Sequence, residues 1–138
     1  MAEETKIKVL AVDDDETILD LYETHLAEDG YEIKTFSSPK KAREFLLAAA
    51  PAEIPHVILM DIMMPGIDGI SLTHEIHSWL NTAHIPIIAV SGLNDAATLN
   101  DALLFGAMDY VVKPFEFEFL KTKIKKAYEL SRQRAPKN

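Results

Sequence analysis

Along the chain, short apolar runs alternate with stretches whose apolar residues recur every three or four positions. That alternation is the mark of a parallel sheet joined by crossover helices. Residues 7–12 (IKVLAV) are nearly all apolar and predict a buried strand. A helix follows with Ile18, Leu19, Tyr22 and Leu26 on one face and Gly30 as its stop. Residues 31–36 alternate and predict a more exposed, edge-like strand. Ser38 and Pro39 then supply an N-cap and a first-turn proline. The helix they open turns Ala42, Phe45, Leu46 and Ala49 inward and ends before Pro51.

Residues 57–60 form the third predicted strand, and the turn-forming run 65–69 leads into a helix marked by Leu72, Ile76, Trp79 and Leu80. Residues 85–90 predict a fourth strand, with Asn94 as cap for a helix bearing Leu99, Ala102 and Leu103. A fifth strand covers 108–112. After Lys113-Pro114-Phe115, a last helix places Leu120, Ile124 and Ala127 on one face. The expectation is one α/β domain, a parallel sheet of five strands doubly wound by five helices.

Composition narrows the picture. At 138 residues, with 48% apolar and 26% charged, the chain suits one folded domain with a substantial core. No apolar run reaches bilayer length, and the N-terminal MAEETKIK has no apolar signal core, so a cytoplasmic protein is expected. The absence of cysteine excludes disulfides, thiol chemistry and thiolate metal sites. Net charge is −8, but residues 1–120 carry −14 and residues 121–138 carry +6. Such a body repels nucleic acid. The domain is expected over 1–130, with 131–138 as a basic tail and the possible start of a linker.

The chemistry gathers just after the strands. Asp13, Asp14 and Asp15 follow the first, Asp61 the third, Ser91 the fourth and Lys113 the fifth. In an open parallel sheet, ligands bind beyond the carboxyl ends of the strands, where strand order reverses. Carboxylates brought together there need a counter-charge. Few carboxylates with retained waters suit Mg²⁺, while Lys113 and Ser91 add a cation and a hydroxyl donor. The set describes a pocket for a phosphoryl group. Asp15 is also well placed as a helix N-cap.

Val9 to Asp15 (VLAVDDD), Met60 to Gly69 (MDIMMPGIDG), Val90-Ser91-Gly92 and Tyr110 to Phe115 (YVVKPF) together resemble the receiver domain of bacterial two-component response regulators. The resemblance runs from about residue 6 to about residue 130 and is nearest to stand-alone receivers of the chemotaxis type. It implies the flavodoxin-like strand order 2-1-3-4-5. It further implies that Asp61 accepts a phosphoryl group from a phosphohistidine of a histidine kinase or histidine phosphotransfer protein. Asp13, Asp14, Asp61 and the backbone carbonyl of Met63 would hold Mg²⁺, Lys113 would pair with the phosphoryl oxygens, and Ser91 would move to hydrogen-bond one of them. Ser91 and Tyr110 would relay the change to the face made by the fourth helix, fifth strand and fifth helix. The Lys113-Pro114 bond is often cis in this family.

By the same resemblance, Met63 and Leu93 would occupy the two positions that tune attack of water on the phosphoryl group, and both are apolar here. Slow hydrolysis is the expectation. The predicted fourth helix has no Lys or Arg, which counts against dimerisation through charged pairs, though a phosphorylation-dependent dimer remains in view. Leu99, Leu103 and Phe119 are candidates for an apolar partner face instead. His25, His56, His74, His77 and His84 are scattered; His74 and His77 share a helix face but lack an evident third ligand. The rival reading is a Mg²⁺-dependent, haloacid-dehalogenase-like phosphatase using Asp13 in Asp13-x-Asp15-x-Thr17. It requires a later acidic pair, and after Lys113 only Glu116, Glu118 and Glu129 remain.

Overall fold

The computed structural model describes residues 6–63, 68–92 and 96–134. Five strands, β1 (Lys8–Val12), β2 (Glu32–Phe36), β3 (Val57–Asp61), β4 (Ile87–Ser91) and β5 (Asp109–Val112), alternate with five helices. The helices are α1 (Glu16–Glu28), α2 (Pro39–Ala48), α3 (Gly69–Ser78), α4 (Ala96–Leu104) and α5 (Phe117–Arg134). All strand pairs are parallel, in the order β2-β1-β3-β4-β5. The order reverses between β1 and β3, which opens a crevice at their carboxyl ends.

The pleat sorts alternate residues to opposite faces. Val9, Ala11, Val57, Leu59, Ile88 and Val90 pack with Leu19, Tyr22 and Leu26 of α1 and Leu120, Ile124 and Ala127 of α5. On the other face, Leu10, Val12, Ile58, Met60 and Ile87 pack with Ala42 and Leu46 of α2 and Leu72 and Ile76 of α3. Ile62, Ala89, Ala102 and Ala107 form a smaller cluster beside α4, with Ile70 and Tyr110 against it. Burying each of the larger side chains contributes about 1.5–3 kcal/mol. β3 and β4 are buried along their whole length, whereas β2 at one edge is not.

Helix ends follow from local chemistry. Asp15 caps α1 by accepting the Thr17 N–H at 3.0 Å, and Ser38 caps α2 by accepting the Lys41 N–H at 3.3 Å. Gly30 (φ +85°) and Gly106 (φ +122°) terminate α1 and α4 in left-handed conformations. The following N–H groups of Tyr31 and Ala107 return to the Leu26 and Ala102 carbonyls.

Several boundaries differ from the sequence pattern. α3 stops at Ser78, so Leu80, expected on its apolar face, is 93% exposed. The Thr82 hydroxyl donates to the Ile76 carbonyl at 2.6 Å and Ala83 N–H to Trp79 O at 2.8 Å, a turn that diverts the chain. β4 begins at Ile87, after Pro86, which has no N–H to give a ladder. Ala49 lies one residue past α2 and is half-buried. A single 3₁₀ turn at Pro51–Glu53 was not anticipated. α5 runs from Phe117 to Arg134. Asn94 lies outside the described residues. Among the described residues, no helix is long and apolar enough to cross a membrane.

Candidate functional site

Asp13 is the first residue past β1. Its N–H donates to the Phe36 carbonyl at the end of β2 (3.1 Å), and its Oδ1 accepts the Asp15 N–H at 2.9 Å. The side chain is therefore fixed at the mouth of the crevice while only 1% of the residue is exposed. Asp61 is the last residue of β3, still paired with Val90 of β4. Its Oδ1 accepts the Met63 N–H at 3.4 Å. α3 begins against this same residue. A Cβ on Gly69 would lie 1.9 Å from the Asp61 carbonyl oxygen, so only glycine allows α3 to start there. Asp68 caps that helix through the Ser71 N–H at 2.7 Å.

Ser91 ends β4 fully buried, and its carbonyl accepts the N–H of Lys113 at 2.8 Å. This bond carries the β4–β5 ladder one step past β5. The Lys113-Pro114 bond is cis, as the resemblance implied. The Lys113 ammonium sits 2.7 Å from Asp13 Oδ2 and 3.8 Å from Asp61 Oδ1. A cavity of about 340 Å³ opens over the cluster, lined by Asp13, Asp14, Asp15, Asp61, Met63, Ser91, Gly92 and Lys113.

Carboxylate oxygens of Asp13, Asp14 and Asp61 come within 4.8 Å of one another. No other group of three or more metal-ligating side chains among the described residues does so. One ammonium does not balance three carboxylates. Burial, and then the charge on Asp13, push Asp61 up to about 7, against the opposing pull of Lys113 and the Met63 N–H. An oxygen-only donor set with an excess of negative charge fits a hard divalent cation. Asp14, which is exposed, leaves an open side for solvent or ligand.

The sequence-level candidates divide cleanly. Asp13, Asp14, Asp61, Ser91 and Lys113 converge, while Asp15 lines the rim and serves as the α1 cap. Met63 stands at the mouth, 61% exposed. Leu93 lies outside the described residues, as do Met64 and Pro65. Tyr110 on β5 is half-buried against the small cluster of Ile62, Ala89 and Ala102. Leu99 is half-buried on α4, and Phe119 is 50% exposed with the Lys123 ammonium 5.3 Å from its ring centre. Leu103, 46% exposed, lines a separate cavity with His74 and His77. His84 joins that cavity, a third imidazole the sequence did not place there. The acids the phosphatase reading would need, Glu116, Glu118 and Glu129, are all exposed, the last two on α5. Sequence reasoning missed the close approach of Gly69 and the stacking of Tyr22 on Phe115. The aromatic spacing Phe115-x-Phe117 was the available signal for the latter.

Comparison with known proteins decides the family. The family described as the response regulator receiver domain matches residues 9–125. The chain belongs to that family. Receiver domains are phospho-accepting signalling modules that bind Mg²⁺ at an acidic pocket and take phosphate from histidine kinases. This receiver is 40% identical over 122 residues to a probable transcriptional regulator, ycf27, of Guillardia theta, covering 88% of this chain and 45% of that protein. It is 33% identical over 109 residues to response regulator PleD of Caulobacter vibrioides, covering 79% of this chain and 23% of that one. The receiver spans less than half the length of either relative.

Solved structures agree. A CheY-like receiver domain protein from Methanospirillum hungatei JF-1 superposes with a TM-score of 0.85 at 25% identity, over 95% of this chain and 100% of that one. The receiver domain of sensor histidine kinase PA1611 from Pseudomonas aeruginosa PAO1, solved with a magnesium ion coordinated in its active site cleft, superposes with a TM-score of 0.79 at 26% identity. That match covers 91% of this chain and 99% of that one.

Proposed function

We propose that Asp61 is the phospho-acceptor of a two-component switch. One observation carries the reading: a buried carboxylate at the end of β3 stands 3.8 Å from the Lys113 ammonium and within 4.8 Å of Asp13 and Asp14 oxygens. An Asp61 oxygen attacks the phosphorus of a phosphohistidine on a histidine kinase or phosphotransfer protein. The P–N bond breaks with its electron pair going to the imidazole nitrogen, which takes a proton from solvent, and a mixed anhydride forms on Asp61. Asp13, Asp14, Asp61 and the Met63 carbonyl would hold Mg²⁺, which when bound offsets the charge that builds on the transferring oxygens. Lys113 turns from Asp13 to those oxygens, and the Ser91 hydroxyl donates to another of them.

The signal then travels by packing. As Ser91 turns toward the phosphoryl group, Tyr110, which packs beside Ile62 and Ala89, turns inward into the space vacated and reshapes the face formed by α4, β5 and α5. Leu99, Leu103 and Phe119 are the apolar residues this face would offer a partner. Charging Phe119 should weaken partner capture with phosphorylation unchanged. Met63, and Leu93 by its position in the sequence, offer no polar group to orient a water, which favours a long-lived phosphoryl group. A Met63→Asn, Leu93→Glu variant should lose its phosphoryl group faster than the unaltered protein, and equal rates would refute this.

The test of the whole reading is incubation with Mg²⁺ and acetyl phosphate, followed by intact mass. A gain of one phosphoryl group, abolished by Asp61→Asn and by chelator, is the expected result. No gain in the unaltered protein, or a gain that survives Asp61→Asn, overturns it.

A further inference from the structure

Two links join the start of the β1–α1 unit to the segment that follows β5. One is ionic, the 2.7 Å contact of Lys113 with Asp13. The other is aromatic. Tyr22 of α1, 1% exposed, stacks on Phe115 with ring centres 6.3 Å apart and planes 13° from parallel. It meets Phe117 edge-on at 6.2 Å, and Phe115 and Phe117 pack edge-to-face at 5.3 Å. His25, one turn along α1, covers Phe117 at 4.1 Å with planes 16° apart. Burial and the nearby charges of Asp13 and Asp61 keep the Tyr22 phenol protonated. The stack is therefore uncharged on its tyrosine side.

Resting on the acceptor reading above, the two links have different fates. The ionic one has to be given up when Asp13 turns to a dication and Lys113 to a phosphoryl group. The aromatic one involves no group that binds either. We propose that the stack of Tyr22 on Phe115 and Phe117 is a static clasp that keeps Lys113 aimed at Asp61 while its ionic tether to Asp13 is released. Phe115 is two residues past Lys113, whose own N–H is held on the β4 side by the Ser91 carbonyl. The lysine backbone is thus fixed from both sides, by a ladder bond toward β4 and by rings toward α1. Tyr22 is a positioning residue that acts through Lys113. A leucine at position 22 would bury well on the same helix face, but it offers no flat surface to register Phe115.

The experiment compares rates of acetyl phosphate labelling in saturating Mg²⁺, per folded molecule, with folding checked by circular dichroism. Tyr22→Leu should label about ten-fold more slowly, since displacing a reacting group by about 1 Å costs up to about a hundred-fold and the flexible lysine absorbs part of it. Tyr22→Phe keeps the ring and should stay within about two-fold of the unaltered protein. Leu26→Val, a packing loss one turn further along α1, should leave the rate per folded molecule unchanged. If Tyr22→Leu does not fold, Phe115→Leu tests the same stack from the other side, with the same expectation. An unchanged rate in the leucine variant overturns the clasp and leaves the acceptor reading standing. Equal slowing in Leu26→Val, or in Tyr22→Phe, also overturns it. Failure of the unaltered protein to label would instead remove the reading on which the clasp rests.

Discussion

Replacing Asp61 by asparagine should make the metal-free protein more stable, by an amount that grows with pH. Asp61 is 5% exposed, and its pKa is raised from an ordinary 3.8 to about 7, first by burial and then by Asp13. Where the group is ionised both folded and unfolded, a rise of that size corresponds to about 4 kcal/mol of destabilisation at most. Solvent in the 340 Å³ cavity screens the repulsion, which leaves about 1–2 kcal/mol. For a chain of 138 residues this is a rise in Tm of about 3–7 °C. The sign follows from proton counting. A carboxyl whose folded pKa is raised binds more protons folded than unfolded between pH 3.8 and about 7, so stability falls as pH rises through that window. Asparagine does not titrate. Its advantage should be larger at pH 8 than at pH 5. Excess Mg²⁺ should narrow the gap at pH 8, because the cation binds the trio with Asp61 more tightly than the trio without it. Thermal melts at both pH values, in chelator and in Mg²⁺, measure all of this. An asparagine variant no more stable than the unaltered protein, or a gap equal at pH 5 and pH 8, would refute the electrostatic account.

Three further outcomes follow from the same geometry. Lys113→Ala leaves Asp13 and Asp61 without their counter-charge and should lower metal-free stability at pH 8 by about 2–3 kcal/mol in urea titrations, most of it restored by Mg²⁺. Gly69→Ala puts a methyl group 1.9 Å from the Asp61 carbonyl oxygen; unfolding curves should show a loss of about 3 kcal/mol or more, with a correspondingly displaced acceptor. Asp68→Ala removes the α3 cap and should cost about 1 kcal/mol by the same measurement, without slowing acetyl phosphate labelling per folded molecule.

Much of the fold was legible because the two periodicities rarely compete in this chain. β3 (VILMD) and β4 (IIAVS) are short, apolar runs flanked by prolines and turn residues, which favours buried central strands over helices. Their last residues were harder. Asp61 and Ser91 look like loop residues, yet each keeps its backbone pairing, with Val90 and Val112 respectively. That one-residue extension matters, because it places both side chains on a rigid ladder. Leu80 misled because it continues the spacing of Leu72, Ile76 and Trp79, and periodicity says nothing about the Thr82 hydroxyl that captures the Ile76 carbonyl. At the site, Asp13, Asp61, Ser91 and Lys113 were recognisable by their positions at strand ends alone. Gly69 was not, since its neighbour is a backbone oxygen eight residues back that only the β3–α3 crossover brings close. Tyr22 reads as one more apolar helix residue until Phe115 is seen against it.

The sheet's borders have a consequence for how the protein survives at high concentration. A border strand presents unsatisfied amide groups on which a stray strand can template aggregation. Here β2 sets Glu32 and Lys34 along one border, and β5 opens with Asp109, which is paired to Lys123, along the other. An intruding segment would have to strip water from these charges before it could pair. The stickiest stretches, β1, β3 and β4, are locked in the interior and reach solvent only when the chain unravels. A misfolding load should therefore track the unfolded population rather than total protein.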